Sequence, residues 1–468
     1  MYALNMKLRG GEAMETKIVA LIVTDKEREE AFPYNKHWQT ACLPISNQPN
    51  IQRTVELLDQ AGIEETYVLN QYLPKQVQKS LKDYKDIHYV ESLEAFSEHL
   101  PKDTYFFYIK GNRYIPDNLF TEMTNQSFEK ADGLISVSKK TKYKNASNQF
   151  GIRAQDEFVK SMYGYTREHY MDYYTSGIYL LNQRALDFLP YTEEGFQNVP
   201  TGGMPSHAFH IENLIQETIQ NQLNYQYVVS EETVYDLKYP WELMEANIVN
   251  TTIQTSAISE TTQGTASTIH PTAVIEGKLQ LGKNITIGPN VLIKGNAIIG
   301  DHSTITTGAI LEENVIIGSN TVVSDYAKIV SGTTIGNHCK VGYTAEVNGV
   351  FFDGVSAVHN SEFFGIAGKS VDIAAACNTG SLRFDDQEVV QKIKGKRYAG
   401  KYTTGVFIGD YTRLGIGNLF YPGVKVGSYS AIGPGAIITK DVPENTLVQA
   451  HQEITTSHWG PERYGWND

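Results

Sequence analysis

The chain has 468 residues, of which 41% are hydrophobic, and this length predicts two or three domains with buried cores. Its 53 acidic and 40 basic side chains give a net charge of −13, which argues against a general nucleic-acid partner. Three scattered cysteines exclude a disulfide framework, and no apolar run reaches the ~18 residues of a membrane span, so we expect a cytoplasmic protein with no membrane partner.

Residues 14–250 alternate strand-like and helix-like patterns. Lys17–Thr24 is a continuous apolar run typical of a buried strand, and Ile51–Ala61 has the apolar spacing of an amphipathic helix that ends at Gly62. Further strands are predicted at Thr66–Asn70 and Thr104–Lys110. Alternation of this kind predicts an α/β domain with helices on both faces of a mostly parallel sheet.

Residues 251–268 contain ten serines or threonines among eighteen positions and few apolar side chains. A segment of that composition is typical of a linker. We therefore predict a domain boundary near residue 250.

A six-residue repeat begins after the predicted linker. Every sixth residue from Ile269 to Val341 is aliphatic, thirteen in succession, and an apolar residue recurs at the same period from Ile408 to Ile438. Helices repeat at 3.6 residues and ordinary strands at 2, so neither explains the pattern. A parallel β-helix does, because each hexapeptide supplies one short strand and one corner, and successive coils cover one another. We predict this fold for residues 269–468.

An irregular stretch, residues 343–405, separates the two blocks of the repeat and carries many basic side chains. They include Arg383, Lys396 and Arg397. A long excursion from a solenoid is often functional, so these cations are predicted to bind phosphates of a substrate or of coenzyme A. The alternative is a hydrated surface loop.

Three segments of the N-terminal region carry recognisable motifs: Leu43-Pro44-Ile45, the Ser-Gly-Ile-Tyr strand at 176–179, and the segment from Asp236 to Asn247. In the C-terminal half, residues 358–365, 377–387 and 405–410 carry others. Together they resemble the bifunctional sugar-1-phosphate nucleotidyltransferase/amino-sugar acetyltransferases, in particular the archaeal-type members. The resemblance implies a nucleotidyltransferase-like, Rossmann-like α/β domain followed by a left-handed β-helix, and a homotrimer assembled through that β-helix.

The N-terminal motifs depart from the family at the positions that handle phosphate and Mg²⁺. The phosphate loop at 24–30 contains no glycine and four carboxylates, and Thr40 stands where the family has a lysine. Asn112 replaces one metal-binding aspartate, which leaves Asp236 as the other. An acidic loop repels a triphosphate, so we expect this domain to have lost nucleotidyl transfer. The alternative is an active enzyme that uses Arg28 and Lys36, with Mg²⁺ as its cofactor.

In the β-helix, the resemblance places His359 at the position of the general base that deprotonates an acceptor amine, with acetyl-CoA as co-substrate. It also suggests a set of binding residues: Arg383, Glu362, Ser381, Lys396 and Arg397 for the substrate, and Gly433, Pro434 and Lys440 for acetyl-CoA. Val330 and Asn348 replace two cations that bind the sugar phosphate in the bacterial enzymes, so glucosamine 1-phosphate itself fits poorly.

The leading hypothesis is therefore an acetyl-CoA-dependent acyltransferase. Its acceptor would be an amino sugar phosphate or a sugar nucleotide, in the synthesis of cell-envelope polysaccharide precursors. Two alternatives stay open: an inactive scaffold or ligand sensor built on the same folds, and an active nucleotidyltransferase with an atypical phosphate loop.

Overall fold

The computed structural model describes residues 17–24, 26, 29–126, 131–139, 149–196, 198–199, 206–393 and 395–464. Asp25, Glu27 and Arg28 of the predicted phosphate loop lie outside the described residues, as do residues 14–16. Within these ranges, no helix is both long enough and apolar enough to cross a membrane.

The N-terminal domain is an α/β sandwich. Its strands are β1 (Ile18–Val23), β2 (Pro44–Ile45), β3 (Gln48–Pro49), β4 (Thr66–Leu69), β5 (Ile87–Val90), β6 (Tyr105–Lys110), β7 (Arg113–Tyr114), β8 (Gly133–Ser138), β9 (Phe150–Gln155), β10 (Phe158–Gly164), β11 (Tyr173–Asn182), β12 (Tyr225–Val229) and β13 (Tyr235–Asp236). Its helices are α1 (Asn50–Gln60), α2 (Pro74–Leu81), α3 (Leu93–His99), α4 (Leu119–Asn125), α5 (Ile211–Gln220) and α6 (Pro240–Ser256). Short 3₁₀ turns lie at Glu29–Ala31, Thr40–Cys42, Glu168–Tyr170, Gln183–Tyr191 and, in the C-terminal tail, Pro461–Tyr464.

Nine of the described strands form one mixed sheet in the order β5-β4-β1-β6-β11-β8-β12-β10-β9. The strands β5, β4, β1 and β6 run parallel, and β11 is antiparallel to both β6 and β8. Buried side chains from both faces of β1 enter two separate apolar cores, which explains why its sequence is continuously apolar. The carboxyl ends of β1, β4 and β6 meet at one edge, the usual position of a ligand site in such sheets.

The C-terminal half is a parallel β-helix with three faces. Face 1 consists of Thr268–Ile269, Thr286–Ile287, Thr304–Ile305, Val322–Val323, Lys340–Val341, Ser356–Ala357, Asp372–Ile373, Arg413–Leu414, Ala431–Ile432 and Leu447–Val448. Face 2 consists of Val274–Ile275, Leu292–Ile293, Ile310–Leu311, Lys328–Ile329, Asn378–Thr379, Leu419–Phe420 and Ile437–Ile438. Face 3 consists of Thr262–Gln263, Leu279–Leu281, Ala297–Ile299, Val315–Ile317, Thr334–Ile335, Val406–Ile408 and Lys425–Val426. Two longer strands, Glu346–Phe351 and Glu362–Ala367, run through faces 2 and 3.

The apolar residues at six-residue spacing stack inside this β-helix as one continuous core from Leu279 to Val442. The predicted fold class, an α/β nucleotidyltransferase-like domain followed by a left-handed β-helix, is confirmed.

The irregular insert is shorter than the predicted 343–405. Regular coils repeat after 18 residues, as the bond from Thr321 N to Ser303 Oγ illustrates, but near residue 340 the repeat shortens to 16, as between Asn337 N and Asp353 Oδ1. The shortened coils interrupt the six-residue phase while the β-helix itself continues. Of the described residues in this stretch, 381–393 and 395–405 leave the solenoid, and they include a hairpin of Gln391–Ile393 paired with Lys396–Tyr398.

Single glycines make the corner between faces 2 and 3 in the two shortened coils. Gly349 and Gly365 have φ of 136° and 143°, in the range that favours glycine, and they stack directly on each other. A Cβ on Gly365 would approach the carbonyl oxygen of Val406 to 1.9 Å. A side chain at this position therefore forces the next coil apart.

The segment predicted as a linker is structured. Residues 251–256 complete α6, and Thr262–Gln263 form the first strand of face 3. The hydroxyl groups that suggested a linker instead join the helix to the β-helix: Thr251 Oγ1 lies 2.7 Å from Thr334 Oγ1, and Thr255 Oγ1 donates to Asn314 Oδ1 at 2.9 Å. Buried hydroxyls need partners, and here the partners lie in the other domain.

The two domains also meet through aromatic side chains of the N-terminal domain. The Tyr34 hydroxyl donates to the carbonyl of Ile366 at 3.0 Å, and Trp38 Nε1 donates to Asp410 Oδ2 at 2.7 Å. The Trp38 ring packs edge-on against Phe352, with 5.4 Å between centroids. Since these contacts are buried, each domain covers part of the other's apolar surface.

Gly365→Ala is expected to destabilise the protein by more than about 3 kcal/mol, because strain at positive φ adds to the clash with Val406. Gly400→Ala is the control, since a Cβ there meets only atoms at 3.7 Å and beyond. Urea unfolding followed by circular dichroism measures both. Equal stability of the two variants would contradict the single-glycine corner.

Candidate functional site

A cavity of about 470 Å³ opens at the carboxyl ends of β1, β4 and β6. Val23, Leu69 and Lys110 line it from the strand ends, and Glu212 at the start of α5 lines it from the opposite side. Its position follows from the parallel arrangement, which directs the loops after these strands toward one edge of the sheet. Polar Asn112 and the cations Arg113 and Lys238 also line it, together with the charged side chains Lys26, Glu91, Glu94 and Glu194.

The carboxylate of Asp236 is surrounded by donors from its own domain. Asn112 Nδ2 donates to Oδ1 at 2.6 Å, while Arg113 Nη1 and Lys238 Nζ lie 2.6 and 3.0 Å from Oδ2. Burial alone would raise the pKa of Asp236, but Arg113 and Lys238 outweigh it and hold the pKa well below its usual range. The pairing of β7 with β13 brings these residues together.

This arrangement does not fit the predicted Mg²⁺ site. Two protein cations already neutralise Asp236, and Asn112 supplies an amide where a second carboxylate would be needed. Among the described residues, no group of three or more histidine, cysteine, aspartate or glutamate side chains could hold a metal ion. Asp236 is therefore placed as an ion-pair partner.

A second buried ion pair lies at the floor of the cavity. Lys110 Nζ contacts Glu212 Oε1, and the Tyr179 hydroxyl donates to the same oxygen at 2.6 Å. Burial disfavours the charge of Glu212, yet Lys110 and Tyr179 hold its pKa below the ordinary value. Glu212 Oε2 and Asn112 Oδ1 are both buried and find no hydrogen-bond partner among the described residues.

Thr40, which stands where the family has a lysine, and Lys36, from the atypical-loop alternative, are not among the residues that line the cavity. Thr40 is buried and donates to Gln39 Oε1 at 3.1 Å. Lys36 pairs with Glu444 of the β-helix at 3.0 Å, so it contributes to the domain interface. Arg28 lies outside the described residues, and Lys26 of the same loop lines the cavity, so the atypical-loop alternative stays a prediction.

His359 lies at the exposed corner between faces 1 and 2 of the β-helix. Its backbone is held between coils, because Asn360 N donates to Tyr343 O and Ala376 N donates to His359 O, both at 3.1 Å. No described side chain forms a hydrogen bond or ion pair with the His359 ring. The ring is therefore accessible from outside the coil.

Glu362 projects from face 2, next to the His359 corner. It is exposed and lies in register with Glu346 on one side and Asn378 on the other. Lys328 pairs with Glu346 at 3.1 Å, so a row of charged and polar side chains runs along the middle of face 2. Exposed Leu419 and Ile437 continue this row toward the C-terminal coils.

Ser381 and Arg383 lie on the exposed segment that leaves face 2 after Gly380. Arg383 Nε and Nη2 donate to the two oxygens of Asp385 at 2.8 and 2.7 Å. These bonds lower the pKa of Asp385 to about 2. Arg383 therefore has a partner of its own and retains further N–H donors on the same guanidinium.

Lys396 contacts the N-terminal domain. It belongs to the hairpin of residues 391–398, and its Nζ lies 4.8 Å from the ring centroid of Tyr165, a residue that lines the N-terminal cavity. Tyr398 packs against Tyr239 and Trp241, with centroid distances of 5.0 and 5.8 Å. The hairpin thus reaches the other domain, while Arg397 on it is exposed.

The residues predicted to hold acetyl-CoA occupy two different corners. Gly433 and Pro434 lie on the same edge as His359, and exposed Lys440 lies at the corner between faces 2 and 3. Gly433 N donates to Val448 O at 2.7 Å, and Gly435 N donates to Ile416 O at 2.9 Å. The Gly433 and Gly435 N–H groups are therefore used within the β-helix, and Pro434 has no N–H, so binding of acetyl-CoA at this corner stays a prediction.

Comparisons with known proteins agree with the motifs. A bifunctional sugar-1-phosphate nucleotidylyltransferase/acetyltransferase of Sulfurisphaera tokodaii is 38% identical over 107 residues, which are 22% of this chain and 26% of that protein. A bifunctional GlmU protein of Methanococcus maripaludis is 36% identical over 121 residues, 24% of this chain and 28% of its own. The resemblance to this bifunctional family is confirmed. The chain spans about a quarter of the length of these relatives.

A galactoside O-acetyltransferase of Lactococcus lactis is 36% identical over 52 residues, 11% of this chain and 25% of that protein. Among solved structures, a UDP-glucose pyrophosphorylase in complex with UDP-glucose aligns with a TM-score of 0.40 at 17% identity, covering 50% of this chain and 98% of its own. No protein-family model matches the chain.

Asp236→Ala is expected to cost about 3 kcal/mol of stability at neutral pH, because it leaves Arg113 and Lys238 without their buried counter-charge. The pKa of Asp236 is lower in the folded than in the unfolded protein. The ionised carboxylate therefore makes its full contribution to stability above the ordinary carboxyl pKa range, and this contribution is lost only as the pH falls through the folded-state pKa. The difference from wild type should therefore stay constant from about pH 5 to about pH 8 in urea unfolding. Exposed Asp59→Ala is the control, and similar stability of both variants would contradict the network.

Proposed function

We propose that this chain is an acyltransferase that moves an acetyl group from acetyl-CoA to an amine of a sugar phosphate or sugar nucleotide. The observation that carries the proposal is the exposed His359 ring on a continuous β-helix, with no described partner. A histidine can accept a proton near neutral pH, so an accessible imidazole suits a general base. The partial similarity to bifunctional nucleotidyltransferase/acetyltransferases supports the same chemistry.

In this proposal, His359 takes a proton from the acceptor amine as its nitrogen attacks the thioester carbonyl. The new C–N bond forms, the C–S bond breaks, and coenzyme A leaves as the thiol after receiving a proton. Face 2 separates His359 from the segment that carries Ser381 and Arg383, so an acceptor lying across this face passes Glu362. The N–H groups of Arg383 that are not bonded to Asp385 are suited to bind the phosphate of the acceptor sugar.

A homotrimer is part of the proposal. Tyr326, Tyr343 and Ile416 lie along the same edge as His359, and their exposed fractions are 57%, 50% and 57%. A row of exposed apolar side chains on a solenoid edge is typical of an interaction surface. A neighbouring copy on this edge would cover these three side chains and form the second wall of the groove for acetyl-CoA.

The N-terminal domain, in this proposal, has lost nucleotidyl transfer and with it the use of Mg²⁺. This part is supported by Arg113 and Lys238, which contact the Asp236 carboxylate that would otherwise be available to a metal ion. The expected result is that UTP, glucose 1-phosphate and Mg²⁺ give no enzyme-dependent pyrophosphate. Pyrophosphate release that the Asp236→Asn variant abolishes would contradict this part and restore the nucleotidyltransferase alternative.

His359→Ala is expected to lower kcat/KM for acetyl transfer by about 10²–10⁴-fold, the usual contribution of general-base catalysis. Release of coenzyme A from acetyl-CoA, measured over a panel of amino-sugar phosphates and nucleotides, provides the assay. His270→Ala is the matched control, because His270 is also an exposed histidine of the β-helix, and its ring Nδ1 lies 2.9 Å from Thr272 Oγ1. Full activity of His359→Ala would exclude its role, and wild-type protein that neither binds acetyl-CoA nor transfers acetyl groups would support the scaffold alternative.

A further inference from the structure

The hairpin of residues 391–398, which leaves the β-helix, has one covered face and one exposed face. Side chains alternate between the two faces, as the geometry of paired strands requires. The covered or half-covered side chains are Gln391, Ile393, Lys396 and Tyr398, and the exposed ones are Lys392 and Arg397. An isolated two-stranded hairpin is barely stable in water, so the contacts of its covered face hold it in place.

The base of the hairpin is fixed to the C-terminal coils of the β-helix. Gln391 is buried, and its Nε2 donates to the carbonyls of Thr403 and Gly423, both at 2.8 Å. Lys425 Nζ contacts Gln391 Oε1 and lies 3.1 Å from Asp441 Oδ2. Moving Gln391 would leave buried polar groups without partners, which opposes any displacement of the base.

The covered face of the hairpin also contacts the N-terminal domain. The Tyr398 ring lies 5.0 Å from Tyr239 and 5.8 Å from Trp241, measured between centroids. Lys396 Nζ lies 4.8 Å from the ring centroid of Tyr165. Aromatic and cation–π contacts of this kind are attractive, so the hairpin joins the two domains.

Tyr165 belongs to a wall of the N-terminal cavity. It follows β10, and its ring lies 5.1 Å from that of Phe150 on β9, a second lining residue. Both strands lie at the end of the nine-stranded sheet. The φ of Tyr165 is 47°, a left-handed conformation that is strained for a large side chain and persists only where the surroundings hold it. The contact with Lys396 is part of those surroundings.

We propose that the 391–398 hairpin is a strap between the domains, which holds the β9–β10 wall of the cavity in one position. The wall moves outward only when Lys396 and Tyr398 leave Tyr165 and Tyr239. Because the base of the strap is fixed to the β-helix, the C-terminal coils control how freely the cavity opens. This device requires neither acetyl transfer at His359 nor any particular ligand in the cavity.

Hydrogen–deuterium exchange of the full chain, followed by mass spectrometry, tests the strap through Lys396→Gln. This variant removes the cation above Tyr165 and leaves the other contacts of the hairpin in place. Amide exchange of residues 150–165 should become about threefold faster, while residues 391–398 keep their wild-type protection. Lys392→Gln is the matched control, since Lys392 lies on the exposed face of the same hairpin and should leave both segments unchanged.

Tyr398→Ala releases the hairpin more completely, because it removes the ring that packs on Tyr239 and Trp241. Exchange should accelerate at least about fivefold in residues 391–398 and also in residues 150–165. Tyr398→Phe keeps the ring and should retain wild-type exchange in residues 150–165. Thermal melting verifies that each variant is folded at the temperature of the exchange.

Three results would overturn the strap. The first is wild-type exchange of residues 150–165 in Lys396→Gln, and the second is an equal acceleration in Lys392→Gln. The third is a Tyr398→Ala variant whose hairpin exchanges faster while residues 150–165 keep their protection. No acetyl-CoA enters these measurements, so their failure is distinguishable from failure of acetyl transfer.

Discussion

The carboxylate of Asp236 is the charge on which the N-terminal cavity depends. It is buried, and Arg113, Lys238 and Asn112 together provide the positive charge and the amide donor that keep it ionised. A divalent ion at this position would have to displace two cations that are already in contact with it. The pocket therefore lies at the usual place at the end of the sheet, and its buried carboxylate is neutralised by protein side chains.

Charged and aromatic side chains also connect the N-terminal domain to the β-helix. Lys238 is one of the groups around Asp236, and its positive charge contributes to lowering the pKa of Lys396 in the 391–398 hairpin. The hairpin, α6 and the aromatic contacts of Tyr34 and Trp38 all join the two domains. The N-terminal domain and the solenoid that carries His359 therefore share a buried interface.

Sequence patterns predicted the β-helix well because its period is local: an inward apolar residue every six positions requires no knowledge of distant contacts. The linker was predicted wrongly for a related reason. The threonines of 251–255 look solvent-exposed in isolation, but Thr251 and Thr255 find hydrogen-bond partners on coils 83 and 59 residues away, respectively. The insert was overestimated because two coils of 16 residues break a six-residue phase without interrupting the fold.

The surroundings of Asp236 and Lys396 also depend on contacts between residues that are distant in sequence. From the sequence, Asn112 could be recognised as an altered and Asp236 as a retained metal position of the family, but the cations around Asp236 could not, because β7 and β13 meet only in the folded domain. Lys396 was assigned to the acyltransferase site on the basis of its neighbours in sequence. Its contact with Tyr165 depends on the folding back of the hairpin, for which no local pattern exists.

Mn²⁺ binding measured by electron paramagnetic resonance tests the central claim most directly, because Mn²⁺ prefers the same hard oxygen ligands as Mg²⁺. Wild-type protein and an Asp236→Asn variant are titrated with Mn²⁺, and the signal of the free ion is recorded. The replacement of the metal by Arg113 and Lys238 predicts identical titrations. A stoichiometric Mn²⁺ ion that binds the wild type and is lost in Asp236→Asn would contradict it.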